Sequence, residues 1–136
     1  MTVPTRAQTV SAYLMAFLYF GAGVMHFVKP GLFLQIVPSV LPWPLAIVYL
    51  SGVAELVVGA GLVSPRSRRL AAWGVVALLV AVYPANLYHW LAHVKVDGAE
   101  IPALYHPLRA LAQLLLIAWA AWLARSTPKA GADING

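Results

Sequence analysis

The sequence predicts an all-α fold: a four-helix transmembrane bundle with a short interfacial or re-entrant segment between helices 1 and 2. Three observations predict it. The 136 residues are 62% hydrophobic and only 10% charged, where a soluble domain carries about 25% charged residues. Mean hydropathy is +0.80. Four apolar stretches each approach the roughly 20 residues whose helical rise matches the ~30 Å hydrocarbon core of a bilayer.

The first stretch covers residues 10–28 and stops at Lys29-Pro30-Gly31, a strong helix breaker. Arg6 precedes it as in a signal peptide, but no small-x-small cleavage site with a polar mature start follows, so an uncleaved first helix is expected. Residues 32–43 are too apolar for a free loop and too short to span. They are punctuated by Pro38 and Pro42 and end on Trp43, which suits a segment at headgroup level. The second helix, residues 44–63, enters through Pro44, a first-turn residue. A basic turn, Ser64 to Arg69, leads to the third helix, residues 70–91. There Pro84 removes a backbone donor and predicts a kink. The connection 92–102 is the longest polar one. The fourth helix begins between residues 103 and 107 and ends at Leu123. Residues 1–125 therefore read as one membrane domain and residues 126–136 as a disordered cytoplasmic tail.

Charge fixes an orientation. Arg6, Arg66, Arg68, Arg69, Arg125 and Lys129 fall on one side, against Lys29 and Lys95 on the other. The positive-inside rule then places both termini in the cytoplasm, in the inner (plasma) membrane of a bacterium. The net charge of +5 sits at helix ends and forms no stripe that could follow phosphates, so nucleic acid is not an expected partner. The chain has no cysteine, which excludes a thiol or disulfide site of its own. No nucleophile with a base and no phosphate loop is visible, which argues against a self-contained hydrolase.

The polar residues inside the spans are the candidate site. Glu55 lies near the middle of the second helix, and a carboxylate at that depth costs roughly 2.5–3.5 kcal/mol on insertion scales unless it faces a partner. Arg109, supported by Gln113 one turn deeper, is the expected partner. The pair reads either as a proton or ligand site or as a buried ion pair that fixes helix register. His26, Asn86 and His89 lie at similar depth on two other helices. His89 and His93 have the i, i+4 spacing of a metal chelate, but two histidines without a third ligand define no metal site. Gly21, Gly23, Gly52, Gly59 and Gly61 read as close-packing positions. His26, Glu55, Asn86, His89, Arg109 and Gln113 together would line an outward-opening pocket. Its apolar walls and few convergent donors would suit a quinone head group.

The chain also resembles the DoxX-like family of small four-helix membrane proteins. The resemblance rests on Gly23-x-x-His26-Phe27 with Pro30, on Leu41-Pro42, and on Ser51-Gly52-x-x-Glu55 with Gly59-x-Gly61-Leu62. Pro84-Ala85-Asn86 completes it, and it covers residues 16–120. It implies a four-helix bundle and a small redox-associated subunit with an intramembrane pocket for a quinone or similar lipid-soluble ligand. The alternative it implies is a non-catalytic assembly or scaffold protein that packs against a membrane-protein partner or a second copy of itself. Family members tied to thiol chemistry are poor guides here, because this chain lacks cysteine.

Overall fold

A computed structural model describes residues 4–127. Five helices follow one another: α1 (Arg6–Val28), α2 (Pro30–Leu34), α3 (Pro44–Val63), α4 (Arg68–Leu91) and α5 (Tyr105–Ser126). The four long ones are long and apolar enough to cross a membrane. Large apolar side chains on all of them, including Phe17, Leu50, Leu70 and Leu115, are exposed on the outside of the bundle. In water such a surface would be untenable; in hydrocarbon it is the expected solvent-facing side. The chain is an all-α integral membrane bundle.

Two helices start earlier than the apolar pattern indicates, for local reasons. α1 begins at Arg6 because Thr5 and Gln8 form a reciprocal capping box, with Thr5 N–H donating to Gln8 at 2.8 Å and Gln8 N–H to Thr5 at 3.2 Å. α4 begins at Arg68 rather than residue 70. Arg68 is almost fully buried, and its Nε and Nη2 donate to the Leu62 and Val63 carbonyls at 3.0 and 3.2 Å. Ser67 Oγ donates to the Gly61 carbonyl at 2.8 Å. The basic turn thus caps the C-terminus of α3, where orphan carbonyls and the helix dipole both favour a cation. At the far end, α5 runs to Ser126, and Thr127 is buried, its carbonyl accepting from Arg69 at 3.1 Å. The expected disordered tail therefore does not begin at 126; residues 128–136 lie outside the described residues. α4 continues as helix through Pro84.

Neighbouring long helices run antiparallel. Gly23 of α1 faces Gly52 and Leu56 of α3, while Gly59 faces Ala16 and Phe20. Gly74 of α4 meets Val58, and Asn86 of α4 meets Gln113 of α5. The buried apolar core gathers at the end of the bundle that holds the termini and the 64–67 turn: Met15, Tyr19, Leu62, Val75 and Leu123 sit in it with a set of alanines. Gln8 and Ser11 of α1 tie to Ser126 and Trp119 of α5 at that same end. The opposite end is capped by α2 and residues 35–43. Gln35 and Asp97 clasp this cap to the 92–104 connection through two bonds, 2.7 and 3.1 Å. Asp97 and Gly98 take positive φ in the tight turn between Val96 and Ala99, which is the conformation such a turn requires.

The α1–α3 contact is where glycine is required. A Cβ on Gly52 would stand 2.7 Å from His26 Cβ, and one on Gly23 would stand 2.9 Å from the Gly52 carbonyl. Gly21, by contrast, meets nothing within 4 Å and has no part in the crossing. Gly52→Ala should therefore destabilise the bundle by about 1–3 kcal/mol, the usual range for overpacking, whereas Gly21→Ala should be neutral or slightly stabilising. Unfolding of the two variants in mixed micelles, followed by helicity, checks this; equal effects would mean that the crossing is looser than described.

Candidate functional site

The glycine crossing sets the first pair. His26 lies one turn beyond Gly23 and Glu55 one turn beyond Gly52, so each polar residue shares a face with the glycine that lets the helices touch. His26 Nδ1 comes to 3.1 Å from Glu55 Oε2 and to 2.9 Å from the Ala22 carbonyl. Nδ1 carries a single hydrogen, and the carbonyl is in line for it. Glu55 Oε2 is thus buried beside the imidazole without a hydrogen bond of its own. Phe33 of α2 stacks on the His26 ring at 3.7 Å, closing it from outside. The expected Glu55–Arg109 pair does not form. The partner of the carboxylate is His26, because the close crossing is between α1 and α3, while Arg109 stands on α5, across the bundle.

A second set joins α4 to α5. Asn86 Nδ2 donates to Gln113 Oε1 at 2.8 Å, and Gln113 Nε2 donates to the Leu79 carbonyl. Gln113 is only 5% exposed, and both halves of its amide are engaged. Its carbonyl acceptor adjoins Val80, whose own carbonyl loses its helical donor to Pro84. Gln113 therefore braces the proline turn of α4 instead of completing a shell around Glu55.

Arg109 completes the α4–α5 set. Its Nη1 lies 3.3 Å from His89 Nδ1, and its guanidinium lies 5.9 Å from the Tyr105 ring centre. Arginine always donates, so Nδ1 is the acceptor and the His89 hydrogen is on Nε2. That Nε2 is buried without a partner. Among the described residues Arg109 pairs with no carboxylate. His106 stands edge-on to His89 at 4.9 Å and stacks on Trp90. His93, which the i, i+4 spacing placed on the same helix face as His89, lies beyond the end of α4 with φ 49°, so the two do not form a chelating pair. Among the described residues no cluster of three metal-ligating side chains occurs.

Two cavities meet among these residues. One, of about 370 Å³, lies under the cap and is bounded by His26, Phe33, Leu41, Ser51 and Pro84. The other, of about 330 Å³, is a groove between α1 and α5 that reaches Gln113. Glu55, Val82, Asn86 and Arg109 line both and stand between them. Five of the six expected site residues thus line one or the other of these two adjacent cavities; His89 lines neither and stands behind Arg109. A roomier recess of about 650 Å³ lies outside, among His93, Lys95, Glu100 and His106. It is bounded by the exposed connection and the surface pair Lys95–Glu100, and His106 separates it from the buried His89. Sequence reasoning did not single out Phe33, Ser51 and Tyr19 as lining residues, and no local signal separates them from other apolar or small side chains.

A family described as a domain of unknown function (DUF8561) matches residues 15–124. No curated protein and no solved structure matches the chain.

The pairing can be checked by double-mutant cycles on unfolding stability. Glu55→Gln with His26→Ala should show a coupling within the ~0.5–3 kcal/mol typical of residues in contact, while Glu55→Gln with Arg109→Ala should be additive to within ~0.5 kcal/mol. The reverse result would return Arg109 to the carboxylate.

Proposed function

We propose a function for a chain that belongs to the DUF8561 family, which is described only as a domain of unknown function: the protein binds a quinone or similar lipid-soluble ligand within the membrane and serves as a small redox-associated subunit. The observation that carries this reading is a pair of adjacent cavities whose shared polar lining, Glu55, Asn86 and Arg109, is chemically incomplete. Arg109 presents five N–H donors, of which one is engaged by His89. Glu55 Oε2 is buried and accepts no hydrogen bond. A quinone carbonyl would accept from Arg109, and the hydroxyl of its reduced quinol form would donate to the part of the Glu55 carboxylate that remains exposed. Apolar walls with a few convergent polar groups are the usual form of such a site. The redox association follows from the DoxX-like resemblance. The bilayer is the medium from which the ligand comes.

We place the protein in the inner membrane of a bacterium with both termini cytoplasmic. Arg6, Arg66, Arg68, Arg69, Arg125 and Lys129 support this against Lys29 and Lys95. The polar cavity then opens in the outer half of the bilayer.

Binding is tested on the full chain in phosphatidylcholine nanodiscs, titrated with a short-tailed benzoquinone while tryptophan fluorescence is followed. The wild type should show saturable quenching. Arg109→Met should weaken binding about ten- to hundredfold, the equivalent of losing a charge-assisted hydrogen bond of roughly 1.5–3 kcal/mol. Linear, unsaturable quenching of the wild type, or an unchanged Arg109→Met, would discard the ligand reading in favour of a scaffold that packs against other membrane proteins.

Orientation has its own test, since the natural chain has no cysteine. Ser64 and Ala99 are exposed at opposite ends of the bundle. In intact cells Ala99→Cys should react with a membrane-impermeant thiol reagent and Ser64→Cys should not; the opposite pattern would invert the protein and turn the cavity to the cytoplasm.

A further inference from the structure

The groove between α1 and α5 is built differently from the capped cavity. Leu18, Tyr19 and Ala22 form one wall and Ala112 and Leu116 the other. Tyr19 is mostly buried in the core, and the remaining wall side chains are apolar. The charged and amide groups all lie at one end, where Glu55, Asn86, Arg109 and Gln113 meet. Leu116 is two helical turns from Arg109 and about one from Gln113, so the apolar part extends about 5 Å beyond the amide toward the middle of the bilayer. The polar bonds between α1 and α5 are those of Gln8 and Ser11, at the far end of the bundle. None crosses the groove itself among the described residues, so opening it to a chain breaks nothing.

We infer that this groove holds the hydrocarbon tail of the ligand whose head lies at Glu55, Asn86 and Arg109, and that the protein takes a single-tailed amphiphile sideways from the bilayer between α1 and α5. The inference rests on the proposed ligand site and adds the class of molecule it accepts and the route by which it enters. Three features support it. The polar groups occupy one end only, the pattern of a molecule with one head and one tail. The outer exit is obstructed, because Phe33 stacks on His26 and the Gln35–Asp97 clasp holds the cap to the 92–104 connection. The walls carry two alanines where larger side chains would close the passage.

The energetics give the inference a distinctive signature. Groove walls are no more apolar than lipid, so a tail that moves from bilayer to groove gains little. The groove must fit the tail; it does not drive binding. The test compares a tailless benzoquinone with the same head bearing a decyl chain, on the full chain in phosphatidylcholine nanodiscs, with ligand expressed per membrane volume. The wild type should bind both with affinities within about threefold of each other. Ala112→Trp, which fills the groove from α5, should weaken the decyl compound by about tenfold or more and leave the tailless one within about twofold. Ala22→Phe fills it from the other wall and should act alike, so a folding defect in one variant does not decide the matter. Equal binding of both compounds to wild type and variants would overturn the groove and leave the head site standing. Equal loss of both compounds in the variants would also overturn it, since the substitutions would then act on the head. Failure of the decyl compound alone to saturate the wild type would overturn the groove, and failure of both compounds would remove the ligand site and this inference with it.

Discussion

A carboxylate near the middle of a membrane-spanning helix is the constraint on which the rest of this structure turns. Glu55 would be costly facing lipid, so α3 must present it inward and another helix must bring it a partner. Histidine is short, and its ring reaches a carboxylate only if the backbones come close. Gly23 and Gly52 provide that approach, and His26 and Glu55 follow them by one turn each. Glycine costs about 0.5–1 kcal/mol relative to alanine inside a helix. The crossing retains it because a methyl group at Gly52 would collide with the partner histidine itself. Close packing and the His26–Glu55 contact at this crossing are one feature.

From this constraint the bundle divides into two helix pairs. α1 and α3 are joined by His26 and Glu55; α4 and α5 are joined by Asn86 with Gln113 and by His89 with Arg109. In the half that holds the termini, the apolar core and the Arg68 and Ser67 caps weld the pairs together. In the other half, the polar contacts of the long helices run within each pair, and among the described residues only the exposed Gln35–Asp97 clasp bridges from one side to the other. The cavities lie along that seam. Their position follows from how hydrogen bonds are partitioned, since polar groups bonded within a pair are unavailable to draw the pairs together.

The spans were legible in the sequence because hydropathy over about 20 residues is a strong, local signal. The α3 bounds of 44–63 fall on Pro44 and Val63, where proline at the first turn and a Ser-Pro break mark both ends. The partner of Glu55 was less legible. Helical rise gives depth but not azimuth, and Arg109, Gln113 and His26 all answer to the same depth. The signal that separates them is the repeated spacing of Gly-x-x-His and Gly-x-x-Glu, which ties two residues to one crossing. Arg68 has a second role that a charge count does not show. Charge per loop counts it as a topology marker, and it also donates two hydrogen bonds to the last carbonyls of α3. His93 lost its helical register because α4 ends at Leu91, two residues short of where the spacing needs it.

What distinguishes a candidate site from a strut is the remainder after internal pairing. Gln113 is fully spent: its oxygen accepts from Asn86 and its nitrogen donates to Leu79, so it holds geometry and offers nothing. Glu55 and Arg109 are not spent. Arg109 touches His89 and the Tyr105 ring and Glu55 touches His26, yet neither finds a full set of hydrogen-bond partners, and both side chains line the same two cavities. Had stability alone shaped this seam, a direct Glu55–Arg109 pair would have closed it, and the cavity would have had no reason to persist between two opposite charges. Keeping them apart, each steadied by an imidazole, costs electrostatic energy that a dry bundle recovers nowhere. Under the proposed function, a molecule with complementary edges would recover it on binding, and the separation of the two groups would set the span of the head group that fits.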